Sequence, residues 1–263
     1  MNIVVCIKQV PDTTEVKLDP ETNTLIRDGV PSIINPDDKS GIESALRLKE
    51  KIGGEVTLLS MGPPQAEVAL REGLAMGADK AILVSDRAFG GSDTWATSCT
   101  LAAALKKIDY DVIIAGRQAI DGDTAQVGPQ IAEHLNIPQV SYAEDVNVEG
   151  DKLIIKRQFE DKYHLIEVDT PCLITTLSEL AEPRYMSVGG AFDAYREKEV
   201  QIWSLENIKD TVNERDLGLK GSPTRVKKSF TKKAKGKGEI LDDVSTKEAV
   251  EAIVSKLKEK HII

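Results

Sequence analysis

The chain has 263 residues, with 34 Lys and Arg against 43 Asp and Glu for a net charge of −9, and is 41% hydrophobic and 29% charged. This is a globular balance with ample material for a core, and it offers no general attraction for nucleic acid or anionic membrane. Cys6, Cys99 and Cys172 are odd in number and widely spaced, so a disulfide framework is not expected; the start MNIVVCIKQV is not a signal peptide, and no run approaches the roughly 20 apolar residues of a membrane span. The expectation is a cytoplasmic protein without membrane insertion.

Short apolar runs recur along the chain at 3–7, 56–59, 81–84, 112–115 and 172–175, most of them separated by segments of helical periodicity. That alternation predicts an α/β fold with a mostly parallel sheet and helices on both faces. Asp37 or Asp38 can cap the first helix, whose Ile42, Ala45, Leu46 and Lys49 share a face and which Gly53-Gly54 ends. A second helix runs from about Pro64 to Met76, and Ser92 or Asp93 can cap a third, TWATSCTLAAALKK. The segments DVNVEGDKLIIKRQ and KYHLIEV alternate in polarity and predict antiparallel hairpins that extend or cover the sheet edge.

After about Glu199 the pattern supports no independent core, which divides the chain into a nucleotide-binding α/β domain, 1–199, and an arm, 200–263. Within the arm, GSPTRVKKSFTKKAKGKGEI reads as an exposed basic segment. The chain ends in an amphipathic helix with a Ser245/Glu248 capping box and Val250, Ile253, Val254 and Leu257 on one face. Such a face must fold back on the chain or dock on another subunit.

The stretch VIIAGRQAIDGDTAQVGPQIA, residues 112–132, is a strand that empties through a small polar loop into a helix. Gly116 and Gly122 permit unusual backbone angles, Gly128-Pro129 shapes the first helical turn, and the amides of Thr124 to Val127 are free to hold a phosphate. Asp121 and Asp123 would repel that phosphate and are read as capping or sugar-facing groups; the plainer alternative is an ordinary strand, loop and helix. Three further loops would meet this one beyond the strand ends, at Cys6–Gln9, Asn35-Pro36-Asp37-Asp38 and Ser60-Met61-Gly62. No dinucleotide fingerprint, P-loop, HExxH, CxxC or GxSxG motif is present, and His134, His164 and His261 read as surface or structural groups. The residues therefore nominate no catalytic group and no metal ligand.

Assembled, the motifs VCIKQVPD, NPDDKSGIESALRLKE, MGADKAILVSD, GRQAIDGDTAQVGPQIAEHL and SELAEPRYMSV resemble, in order and spacing, the β subunit of electron transfer flavoproteins. The resemblance covers nearly the whole chain. It implies an adenine-nucleotide α-hydrolase-like fold and an electron carrier, not a classical enzyme, that pairs as a heterodimer with an α subunit carrying a mobile FAD. It further implies an adenine nucleotide in this chain, held at Cys6, Asn35, Pro36, Asp37, Asp38, Met61, Asp121, Gly122, Asp123, Thr124, Ala125, Gln126, Val127, Gly128, Pro129, Gln130, Ile131 and Ala132. The SDTWATS helix start and the DGDTAQVG loop resemble the electron-bifurcating members, which implies FAD with help from Thr94 and Thr97; AMP is the alternative.

In such a complex NADH would give a hydride to this FAD. One electron would pass by the α-subunit flavin to an acyl-CoA dehydrogenase and the other to ferredoxin or flavodoxin. LAEPRYMSVGGAF resembles the family's partner-recognition loop, with Val188 where a leucine is usual, so a different dehydrogenase partner is implied; the plainer view is a flexible glycine-rich loop. A stand-alone nucleotide-binding regulator and a nucleic-acid binder using 225–237 are the competing readings. The first leaves the arm unexplained, and the net charge opposes the second.

Overall fold

The structure, a computed structural model, describes residues 1–12, 31–150, 152–227, 236, 238, 240–242 and 244–263. It divides into two units, 1–227 and 228–263. In chain order the first holds β1 (Asn2–Cys6), β2 (Gln9–Pro11), β3 (Ser32–Ile34), α1 (Pro36–Ile52), β4 (Glu55–Met61), α2 (Glu67–Met76), β5 (Lys80–Val84), α3 (Thr94–Leu105), β6 (Val112–Gly116), α4 (Val127–Leu135), β7 (Gln139–Glu149), β8 (Lys152–Phe159), β9 (Lys162–Asp169), β10 (Cys172–Thr176), α5 (Val188–Arg196), β11 (Val200–Trp203), α6 (Leu205–Ile208) and α7 (Gly218–Gly221).

Among the described residues nine strands form one sheet in the order β11-β5-β4-β1-β6-β10-β7-β8-β9, while β2 and β3 make a separate antiparallel ribbon. Strands β11 through β7 run parallel, with Ile3 opposite both Val56 and Val112; β8 and β9 then add antiparallel, so the expected hairpins extend the sheet. Burial explains why the five apolar runs are unbroken instead of alternating: both faces are covered. Val5, Leu58 and Ile114 join Ile42 of α1 and Leu70 of α2 in one core, whereas their neighbours Val4, Leu59 and Ile113 join Leu105 of α3 and Ile131 of α4 in the other.

The segment after Glu199 lacks a core of its own because it shares that of the first unit. β11 pairs with β5, and Ile208 and Leu217 are buried in the cluster with α3. The 199/200 boundary expected from the sequence thus falls inside the first unit, which continues to Lys227. Of the basic segment, residues 228–235, 237 and 239 lie outside the described residues.

The second unit contains α8 (Thr246–Glu259), started by the expected capping box. Ser245 N donates to Glu248 Oε2 at 2.9 Å, and Glu248 N donates back to Ser245 Oγ at 3.4 Å. None of its residues is buried. Among the described residues no helix is long and apolar enough to cross a membrane.

Candidate nucleotide-binding site

The chain leaves β1 toward β4 and β5 and only then crosses to β6 on the other side of β1. The strand order therefore reverses between β1 and β6, and open parallel sheets hold ligands in the crevice beyond the strand ends at such a reversal. Asp38, in the first turn of α1, spans that crevice. Its buried carboxylate accepts hydrogen bonds from the Lys8 N–H at 2.7 Å, the Gly116 N–H at 3.0 Å and Asn35 Nδ2 at 3.1 Å. Burial pushes this carboxyl up to about 7, against the three hydrogen bonds that hold it down.

Neither Asp37 nor Asp38 caps α1, contrary to expectation. The N-cap is Asn35, without a side-chain cap bond, because both carboxylates are directed elsewhere. Asp37 lies 3.4 Å from Arg117 Nε; its burial raises its pKa and Arg117 opposes the rise. Asn35 is fully buried and stitches the loop after β6: Nδ2 donates to the Gln118 carbonyl at 2.8 Å and Oδ1 accepts from the Ile120 N–H at 3.1 Å. Asn35→Ala strands both backbone groups. The expected result is a loss of about 3 kcal/mol in urea unfolding and faster hydrogen exchange at the Ile120 amide, while unchanged exchange would contradict the stitch.

Downstream, Asp121 takes Lys8 Nζ at 2.6 Å and Asp123 takes Gln118 Nε2, so both aspartates shape the loop. Neither caps α4, whose N-cap is Gln126. Unusual backbone angles fall on Asp123 and Ala125, both at φ 52°, and not on Gly116 or Gly122. Gly116 is required for a different reason: a Cβ there would overlap Asp38 Oδ1 and stand 2.9 Å from the Asp38 nitrogen. Gly128 is required too, since its Cβ would lie 2.7 Å from Thr175 Cγ2 and lift α4 off β10. Among the described residues, the amides of Thr124, Ala125, Gln126, Val127 and Gly128 donate to no acceptor. They form a cradle of unpaired donors at a helix start, which suits an anion.

Helix α3 closes the opposite wall. Asp93 caps it through the Ala96 N–H at 3.0 Å, and its second oxygen accepts from Thr224 N at 2.9 Å and Thr224 Oγ1 at 2.7 Å. Burial alone would raise the Asp93 carboxyl, but these hydrogen bonds outweigh it and hold the group below its usual value. Thr94 Oγ1 donates to Gln126 Oε1 at 2.9 Å, joining α3 to the cradle.

These parts enclose a cavity of about 1000 Å³, at the upper end of the roughly 300–1000 Å³ usual for small-molecule sites. Of the expected residues it brings together Cys6, Asp38, Met61, Thr94, Thr97, Gly122, Asp123, Thr124, Ala125, Gln126, Val127, Gly128 and Ile131. Asn35, Pro36, Asp37, Asp121, Pro129, Gln130 and Ala132 do not line it. Asn35 and Asp121 stand behind the wall as supports, and Ala132 is packed into the core. The sequence reading included Lys8 in the loop after β1 but missed Pro63, Pro64 and the turn after β5, of which residues 85–87 and 89–91 line the cavity, Arg87 among them. The available signal was positional, because β5 ends on the same edge of the sheet as β1, β4 and β6.

His134 packs between α3 and α4, with Nε2 3.0 Å from Ser98 Oγ and its ring edge-on to Trp95. Burial lowers its pKa, which fits the structural role expected of it. On the other face of the sheet, Arg184 anchors the segment before α5 to α1 by donating from Nε to Glu43 Oε2 at 2.7 Å. Tyr185 and Val188 are almost fully exposed there. Gly189 and Gly190 are helical, and a Cβ on Gly190 would overlap the Ala75 carbonyl, so that glycine serves close packing of α5 on α2 more than flexibility.

This arrangement, an open parallel sheet with an anion cradle at its switch point, agrees with sequence comparison. The electron transfer flavoprotein domain family matches residues 22–207. Over the full length of both chains, the protein is 62% identical to the electron transfer flavoprotein subunit beta of Clostridium acetobutylicum and 58% identical to the caffeyl-CoA reductase-Etf complex subunit CarD of Acetobacterium woodii. It is 46% identical to protein FixA of Azotobacter vinelandii, with 99% of this chain and 96% of that one covered. The chain belongs to the electron transfer flavoprotein family, with the β subunits as its relatives.

Proposed function

We propose that this chain is the nucleotide-holding β subunit of a heterodimeric electron transfer flavoprotein, that its nucleotide is FAD, and that the complex takes part in flavin-based electron bifurcation in the cytoplasm. The observation that carries the reading is the row of five unpaired amides, Thr124 to Gly128, on the wall of a cavity near the top of the usual size range. Those amides would hold the diphosphate. Cys6, Met61 and Ile131 give the cavity apolar surface, and Thr94 and Thr97 supply hydroxyls from α3.

When bound at Cys6, Met61, Thr94, Thr97 and the Thr124–Gly128 amides, FAD would supply the hydride and single-electron chemistry that linking NADH to an acyl-CoA dehydrogenase and to ferredoxin or flavodoxin requires. The protein's part is placement. Asp38 fixes the crevice width, Asn35 fixes the loop, and Gly116 and Gly128 let backbone approach closely.

Similarity to a subunit of a caffeyl-CoA reductase-Etf complex supports an acyl-CoA-linked partner. Three cysteines without disulfides suit a reducing compartment. The exposed apolar face of α8, with Val250 and Ile253 both about half exposed, supports docking on the α subunit and disfavours a stand-alone regulator.

Purification with the α subunit, followed by nucleotide analysis, tests the reading. Two flavins per heterodimer are expected. One flavin plus AMP would leave the pairing intact and overturn FAD and bifurcation here.

A further inference from the structure

Among the described residues, three cations line the cavity: Lys8, Arg87 and Arg117. Lys8 is taken by Asp121 at 2.6 Å, and Arg117 faces Asp37 at 3.4 Å. Among the described residues, the Arg87 guanidinium has no acidic or hydrogen-bonding partner. The lining also carries the carboxylates of Asp38, Asp86, Asp93 and Asp123. An anionic ligand thus enters a wall whose other positive charges, among the described residues, already face carboxylates, and Arg87 is the described cation left to balance it.

The turn that presents Arg87 is built to stay in place. Asp86 caps it through the Ala88 N–H at 3.0 Å and also accepts from the Leu205 N–H at 3.1 Å. Phe89 is buried in the core beneath, and Gly218 approaches the Ala88 carbonyl so closely that a Cβ would overlap it. A fixed backbone with a free guanidinium is the arrangement that recognises phosphate oxygens in a forked pair of hydrogen bonds.

We propose that Arg87 is a specificity-determining residue that takes phosphate charge beyond what the α4 amides hold, selecting nucleotides that carry a diphosphate over those with a single phosphate. The assignment rests on the nucleotide reading above. It is distinct from that reading because the cradle consists of backbone amides, which no side-chain substitution at position 87 removes.

The test uses the full-length heterodimer freed of its nucleotide, with adenosine, AMP and ADP titrated calorimetrically against wild type, Arg87→Ala and Arg87→Lys. Arg87→Ala should weaken ADP about tenfold, AMP less and adenosine not at all, with Arg87→Lys recovering part of the loss. Equal weakening of all three ligands, or none, overturns the assignment while leaving the nucleotide reading standing. If wild type binds none of the three, the nucleotide reading falls and the Arg87 assignment with it.

Discussion

Replacing Gly116 with alanine is expected to lower the melting temperature by roughly 8 °C and to strip the purified complex of its nucleotide. The added methyl would overlap the Asp38 carboxylate and press on the Asp37 Cβ and the Asp38 nitrogen, both 2.9 Å away. The Asp38 nitrogen is backbone at the start of α1, so the helix must move or β6 must bend. Either movement breaks the Gly116 N–H bond to Asp38 and widens the crevice between β1 and β6. Overpacking plus a lost charge-assisted bond amounts to about 3 kcal/mol, and each kcal/mol is worth roughly 2–4 °C in a chain of this size. A melting curve and the absorbance of the released nucleotide read both effects. A variant that melts and binds as wild type would show that the approach of α1 to β6 is not needed.

The second large effect concerns pH and Asp38. Its carboxyl is raised to about 7 in the folded chain, against roughly 3.9 in an unfolded one. Between those values the folded protein keeps a proton that the unfolded chain has released, so stability falls as pH rises through the window. Below about pH 4 both states are protonated and the contribution is fully present. Above about pH 7 both are ionised, and up to about 4 kcal/mol has been lost.

Asp37 beside it adds like charge and reinforces the trend, while carboxylates held low by hydrogen bonds, such as Asp93, slope the other way. The informative measurement is therefore the difference between wild type and Asp38→Asn. The asparagine cannot accept from both the Lys8 and Gly116 amides, so the variant should be weaker near pH 4.5. The gap should close toward pH 8, because only wild type loses stability from this site. A constant gap in urea midpoints would refute the raised carboxyl.

Much of the sheet is legible in the sequence because a parallel strand covered on both faces must be apolar throughout. Runs such as VIIA and AILV say so directly. β2, β3 and β11 carry no such signal: each is three or four residues long, and their pairing is a tertiary fact. The polar loop after β6 is legible from its composition, but its mechanics are not. Glycine marks positions 116 and 122, yet the left-handed angles fall at Asp123 and Ala125, and glycine 116 is there to admit a carboxylate from α1. Local pattern also assigns Asp37 and Asp38 to capping, since acidic residues at a helix start usually cap or complement the dipole. Only the juxtaposition of β1, β6 and α1 shows that Asp38 serves the crevice. The turn holding Arg87 was missed because nothing in SDRAFGG is distinctive until β5 is placed in the same row as β1 and β4.

The cap of α3 carries a further consequence, for the timing of assembly. Asp93 is bonded to Thr224, 131 positions downstream, and only three residues separate Thr224 from the end of the first unit. During synthesis the cradle, the crevice and α3 all emerge while that anchor is still unmade. The wall around the cavity is completed only when nearly the whole first unit has left the ribosome, so a ligand that needs all of that wall is held late in synthesis.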